Sequence, residues 1–167
     1  KLKELEVLQS RALSKLSEQP WMNCHFDFER RNLIVDSNNE IAVIDFQDLC
    51  IGPVGIDLAG IIIDHYISYS DELINNTLKH YIESNQLDVS VENVYEWLRW
   101  GGIQRNMRIL GTLSNLYIQD NRTFRLKDLP GILENLIRLI PNDEFMSIKE
   151  HLSSAVMPKL HEELKAL

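Results

Sequence analysis

Two short apolar runs, Leu33-Ile34-Val35 and Ile41-Ala42-Val43-Ile44, flank the polar stretch Asp36-Ser37-Asn38-Asn39-Glu40. Asp, Ser and Asn side chains bond readily to their own backbone in tight reversals, so the pattern predicts a β-hairpin. The rest of the chain is dominated by helical periodicity. Leu2, Leu5, Leu8, Leu13 and Leu16 recur near helical spacing until Pro20, which predicts an amphipathic first helix, followed by a short extended segment over 21–24. From Ile56 onward Leu58, Ile61, Ile62, His65 and Tyr66 fall on one stripe, and helices are expected at about 56–68, 71–85, 91–119, 129–140 and 143–167. Asp71 and Asp143 are read as N-caps or first-turn acids, and Pro130 and Pro141 stand where helices begin. The expected class is α+β, mainly α.

The length of 167 residues and 44% hydrophobic content suit one compact domain. A formal net charge of −8 argues against a phosphate-backbone-binding surface, which needs clustered Lys and Arg; no nucleic acid partner is expected. Cys24 and Cys50 have neither metal-ligand spacing nor the density of a disulfide scaffold, which suits a reducing cytoplasm. No apolar run approaches the roughly 20 residues that span a bilayer, and residues 1–10 lack the apolar core of a secretory signal. With no initiator Met, the start reads as a boundary inside a longer protein.

The segment that carries chemistry is His25-Phe26-Asp27 followed by Asn32, a His-x-Asp-x-x-x-x-Asn spacing, after which the hairpin delivers Asp45-Phe46. Phosphoryl transfer asks for a carboxylate to orient the attacking hydroxyl and for oxygen ligands to hold magnesium on nucleotide phosphates. Asp27 is the expected base, Asn32 and Asp45 the expected metal ligands on the nucleotide side, and His25 an orienting group for the loop. A lone Asp or Asn in a polar loop is more often a solvated turn former. The coincidence of loop, hairpin and second Asp, followed by Gly52-Pro53 and Asp57, favours function.

Taken together, these residues resemble the signature of the aminoglycoside phosphotransferase and choline kinase superfamily, whose members have a kinase-like fold. Protein kinases fit less well, because Gln47 stands where Asp-Phe-Gly has its Gly and no long activation segment follows Asp45. Instead Gly52-Pro53-Val54-Gly55-Ile56-Asp57-Leu58-Ala59 resembles the Gly-Pro...Asp-Leu-Ala block of small-molecule kinases. The resemblance implies that Asp57 braces the loop structurally; its plainer role is capping the next helix. Val43–Asp48 with Gly52-Pro53-Val54, then Gln104-Arg105-Asn106-Met107-Arg108-Ile109-Leu110-Gly111 and Lys127-Asp128-Leu129-Pro130, is similar to the bacterial anomeric kinases of N-acetylmuramate and N-acetylglucosamine, which act in cell-wall recycling. That similarity runs over about 15–140. It implies an ATP-dependent, Mg2+-requiring transferase, with an aminoglycoside or choline-type kinase, or a non-catalytic binding module, as alternatives.

Two positions depart from that group: Glu29 in the loop, and Ile63 before Asp64 where an Arg is commoner. Arg31 could meet developing phosphate charge or form a surface pair with Glu29 or Asp36. Gln104, Arg105 and Arg108 could line one wet helix face and grip an acidic sugar substituent, or form a solvated charged face. Asp64 could bond sugar hydroxyls or pair with one of those arginines. Trp97, Trp100, Tyr95, Tyr66 and Tyr69 are read mostly as core.

Kinases of this architecture grip ATP with an N-terminal lobe carrying a Gly-rich loop and a Lys. The seven glycines here include no Gly-x-Gly-x-x-Gly, so the chain is expected to be the C-terminal lobe alone. Residues 1–55 would carry a helix, catalytic loop and metal-binding hairpin, and 56–167 a helical substrate-binding part. Such a piece should bind nucleotide poorly and turn over little, and its exposed inter-lobe face could pair two copies.

Overall fold

A computed structural model describes residues 1–166. Among them are seven α-helices and four short strands: α1 Leu2–Ser17, β1 Trp21–Cys24, β2 Leu33–Val35, β3 Ile41–Val43, β4 Cys50–Pro53, α2 Gly55–Ile62, α3 Asp71–Ser84, α4 Val91–Asp120, α5 Leu129–Leu139, α6 Asn142–His151 and α7 Met157–Lys165. The protein is mainly helical with small antiparallel sheets, as an α+β chain. It divides into two compact units, Lys15–Gly101 and Lys1–Ser14 with Gly102–Leu167.

In the Lys15–Gly101 unit, β2 and β3 form the expected hairpin, with Leu33 opposite Val43 and Val35 opposite Ile41. Its turn is built by Asp36, whose Oδ1 accepts the N–H groups of Asn38 and Glu40, both at 2.8 Å, while Asn39 takes the left-handed φ of 64° that Asn tolerates. The second sheet, β1 against β4, pairs Trp21 with Pro53 and Cys24 with Cys50. Pro53 lacks an N–H and sits at the strand's end in a two-stranded sheet, where none is required.

Two corrections concern the helices, and the choice left open for Asp71 is decided. The helix expected over 56–68 stops at Ile62, because Asp64 Oδ1 captures the N–H of Tyr66 at 2.6 Å and so offers the backbone a turn in place of the helical ladder. His65 and Tyr66 therefore leave the apolar stripe, and Tyr66 is exposed. The helix expected over 143–167 is interrupted by a π-helical turn at Leu152–Val156, after which α7 starts with Pro158 in its first turn. Pro158 has no N–H to give Ser154, and its ring crowds that carbonyl, which forces the change of pitch. Ser70, not Asp71, caps α3, its Oγ accepting the Leu73 N–H at 3.2 Å, while Asp71 is a first-turn acid.

The beginning of α2 lies against the beginning of α4. A Cβ on Gly101 would overlap the Gly55 carbonyl, and one on Gly55 would overlap the Trp97 carbonyl oxygen. Buried Gln19 completes that contact, its amide oxygen accepting Gly55 N–H at 2.9 Å and its amide nitrogen donating to the Trp97 carbonyl at 3.1 Å. In the other unit Leu113, Leu126, Leu129 and Ile132 form a core joined by Leu160 and Leu164, and Arg11 pairs with Glu144 at 3.0 Å.

Candidate active site

The 25–32 loop leaves β1 and returns to β2 through a 3-10 turn at Arg30–Asn32. Its path is unusual: Phe26 has φ 67°, a left-handed conformation that costs a bulky residue free energy. The Asp57 carboxylate on α2 accepts two consecutive backbone N–H groups there, His25 at 2.5 Å and Phe26 at 2.9 Å. A bidentate, charge-assisted acceptor offsets the strain and fixes where the next residue, Asp27, begins. Phe26 itself packs on Gly52, where a Cβ would lie 2.5 Å from its ring.

Asn32 is buried, and its side-chain nitrogen donates to the Asp27 carbonyl at 2.8 Å and the Asp27 carboxylate at 3.3 Å. Asn32 also joins the hairpin, its carbonyl accepting the Ile44 N–H at 2.9 Å. The Ile44 carbonyl in turn lies 2.9 Å from His25 Nε2. Ile44 is thus tied on one side to Asn32 and on the other to His25, and Asp45 follows directly, at φ 62°. Asp45 Oδ1 accepts from Gln47 Nε2 at 3.0 Å.

With the Asn32 nitrogen spent on Asp27, its amide oxygen is the atom left for a cation. One carboxylate and one amide oxygen form a hard donor set that suits magnesium, which keeps several positions for water and phosphate oxygens. Among the described residues no group of three or more His, Cys, Asp and Glu could hold a metal.

Arg31 forms the pair with Glu29 that is one of its two readings, and adds a bond to the Asp27 carboxylate at 3.0 Å. Asp36 is occupied instead by its own turn. Asp64 pairs with Arg30 at 3.4 Å, and the Arg30 guanidinium stands 5.9 Å from the centroid of the Tyr66 ring. Arg30 and Gln19 were not singled out by sequence; Arg30 lies in the run Glu29-Arg30-Arg31, where spacing gives no means of telling one cation from another.

The helix residues Gln104, Arg105 and Arg108 lie in the other unit. They do not share a wet face: Arg105 is 5% exposed while Arg108 is exposed and Gln104 intermediate. Three- and four-residue spacings put residues on neighbouring rows, but what packs on each row decides which is dry. Of the aromatics, Trp100 is buried and Tyr66 exposed. Around the site the hairpin and its sequel present Ile34, Val35, Ile41, Phe46, Leu49 and Ile51 to solvent. No helix among the described residues is long and apolar enough to cross a membrane.

The chain belongs to the phosphotransferase enzyme family (APH), whose model matches residues 1–100. It is 29% identical over 132 residues to an N-acetylmuramate/N-acetylglucosamine kinase of Neisseria meningitidis serogroup B, covering 76% of this chain and 39% of that protein. It is 28% identical over 124 residues to a protein of the same name from Pseudomonas aeruginosa, covering 71% of this chain and 36% of the relative. A Pseudomonas putida protein of that name matches 117 residues at 27% identity, over 67% of this chain and 34% of its own length. The chain thus spans about two-fifths or less of the relatives it matches.

Proposed function

We propose that these residues supply the hydroxyl-activating and metal-holding part of an ATP-dependent phosphotransferase that acts on a small-molecule hydroxyl, the anomeric hydroxyl of an amino sugar of the N-acetylmuramate/N-acetylglucosamine type. The observation that carries the reading is the linkage of Asp27, Asn32 and Ile44-Asp45 through Asn32, which tethers a base and two oxygen ligands to one hairpin. In this scheme Asp27 accepts the proton of the attacking hydroxyl, and its bonds to Arg31 and Asn32 set the direction in which its carboxylate faces. Asn32 and Asp45 hold Mg2+, which neutralises phosphate charge when bound. His25 orients the hairpin through Ile44, Asp57 is structural, and Arg31 stands beside the base where charge develops.

Asp64 is assigned to the sugar hydroxyls. Arg105, being dry, suits a fixed ion pair or a bidentate grip better than a solvated face. A cytoplasmic setting fits the ATP requirement. The 167 residues contain no Gly-x-Gly-x-x-Gly, so they are assigned low nucleotide affinity on their own, and the exposed apolar hairpin face is assigned to pairing between copies, to be read by sedimentation.

The test uses the complete protein. ADP release is measured across N-acetylmuramate, N-acetylglucosamine, aminoglycosides and choline, with and without Asp27→Asn. The expected result is turnover of the amino sugars with a kcat loss of about 10²–10⁴ in the variant. Turnover of aminoglycosides or choline alone would overturn the substrate class, and full activity of Asp27→Asn would overturn the base.

A further inference from the structure

β1 ends at Cys24 and β4 begins at Cys50, and the two residues are direct partners in the antiparallel ladder. The Val54 N–H donates to the Pro20 carbonyl at 3.2 Å, one step before the pair Trp21 and Pro53, and hydrogen-bonded and open pairs alternate from there. Cys24 and Cys50 therefore occupy a hydrogen-bonded pair, with Cα atoms about 5.5 Å apart and both side chains on one face of the sheet. That separation lies inside the range of about 4.4–6.8 Å over which a disulfide closes.

The two thiols stand in unlike surroundings. Both are free, but Cys24 is 1% exposed, its Sγ donating to the Gly52 carbonyl at 3.3 Å, whereas Cys50 is exposed. Burial holds the proton on Cys24, and the charge of a Cys50 thiolate adds to that effect, so the two sulfurs lie within each other's field. One accessible and one sheltered thiol form the arrangement that a two-step exchange needs, in which the outer sulfur takes the reagent and the inner one displaces it.

We propose that Cys24 and Cys50 are a reversible disulfide pair, closed by exchange with a small-molecule disulfide such as glutathione disulfide, that clamps β1 to β4 at the base of the 25–32 loop. The Cys50 thiolate attacks one sulfur of glutathione disulfide, expels a glutathione thiolate and leaves a mixed disulfide. Cys24 then gives its proton to solvent, attacks Cys50 Sγ and expels the second glutathione thiolate. Two protein thiols are oxidised, and one glutathione disulfide is reduced to two thiols. Closure takes Cys24 Sγ from the Gly52 carbonyl and ties the residue before His25 to the strand that follows Asp45. Opposed residues of a ladder hold their Cβ atoms farther apart than the roughly 3.8 Å of a relaxed disulfide, so the bond carries strain and reopens readily. The pair does not depend on the phosphotransferase reading.

The test uses the 167-residue chain, incubated without denaturant in excess glutathione disulfide and followed by intact mass and by peptide mapping under non-reducing conditions. The expected course is a glutathione adduct at Cys50 that gives way to a product lighter than the reduced chain by two hydrogens, with the Cys24 and Cys50 peptides linked. Cys24→Ser should stop at the adduct. Moving the inner thiol one residue, by Asn23→Cys with Cys24→Ala, puts it on the other face of the sheet and should slow closure about tenfold or more while the circular dichroism spectrum stays unchanged. Excess reduced glutathione should reopen the Cys24–Cys50 bond. An unmodified Cys50, a lasting adduct on the unaltered chain, a linkage of two chains through Cys50, or equally fast closure by the moved thiol would overturn the pair. Resistance to reduced glutathione would overturn its reversibility.

Discussion

The Asp57 carboxylate accepts the backbone N–H of Phe26 at 2.9 Å, and Phe26 stands at φ 67°. A residue on α2 thereby stabilises a conformation that Phe would not hold by itself, immediately before the residue assigned as base. Asp57→Asn presents an N–H group to a pair of N–H donors, so one bond is lost and the other loses its charge. The expected cost is about 2–3 kcal/mol in urea denaturation of the 167-residue chain. A loss below about 0.5 kcal/mol would mean that the loop holds its path without this brace.

Glycines in one helix should respond with opposite signs. Gly101→Ala drives a methyl group into the backbone at Gly55, which cannot move without parting α2 from α4, and should destabilise by about 1–3 kcal/mol. Gly111, on the same helix, has nothing within 4 Å of the Cβ position, so Gly111→Ala should raise stability by about 0.5–1 kcal/mol through helix propensity. Thermal melts of the two variants side by side make the comparison. Equal shifts would contradict the close approach at Gly55.

Asp45 offers a way to remove charge without disturbing backbone. Asn tolerates φ 62° as Asp does, so Asp45→Asn should leave stability within about 0.5 kcal/mol. In the complete protein it should lower kcat at fixed Mg2+ and raise the Mg2+ concentration needed for half-maximal rate. Asp45→Val should, in addition, unfold at lower denaturant, because a β-branched residue resists the left-handed region. An unchanged Mg2+ dependence in Asp45→Asn would remove that residue from the metal site.

Burial pushes the Cys24 thiol up to about 11, with the nearby Asp57 carboxylate adding to it. The folded state therefore holds this proton more tightly than the unfolded chain. The associated stability is complete below the unfolded thiol's value near 9 and is lost as pH rises from there toward 11. Two units correspond to at most about 2.7 kcal/mol. Stability between pH 8 and 11 should fall more steeply in the parent chain than in Cys24→Ala; parallel slopes would show that another group carries the alkaline transition.

What the sequence determined by itself was the local chemistry. The hairpin was legible in Asp36 and Asn39, because a turn is built from the side chains inside it, and the order of helices was legible in leucine spacing. Asp27, Asn32 and Asp45 stood out through spacing around that hairpin. Only the tertiary structure decided the pairing of β1 with β4, the capture of Phe26 by Asp57, the pairing of Arg30 with Asp64, and the dryness of Arg105 beside the exposed Arg108. Each of these joins residues far apart in the chain, or depends on which face another element covers. Periodicity records which side chains share a face; it carries no record of what packs against it.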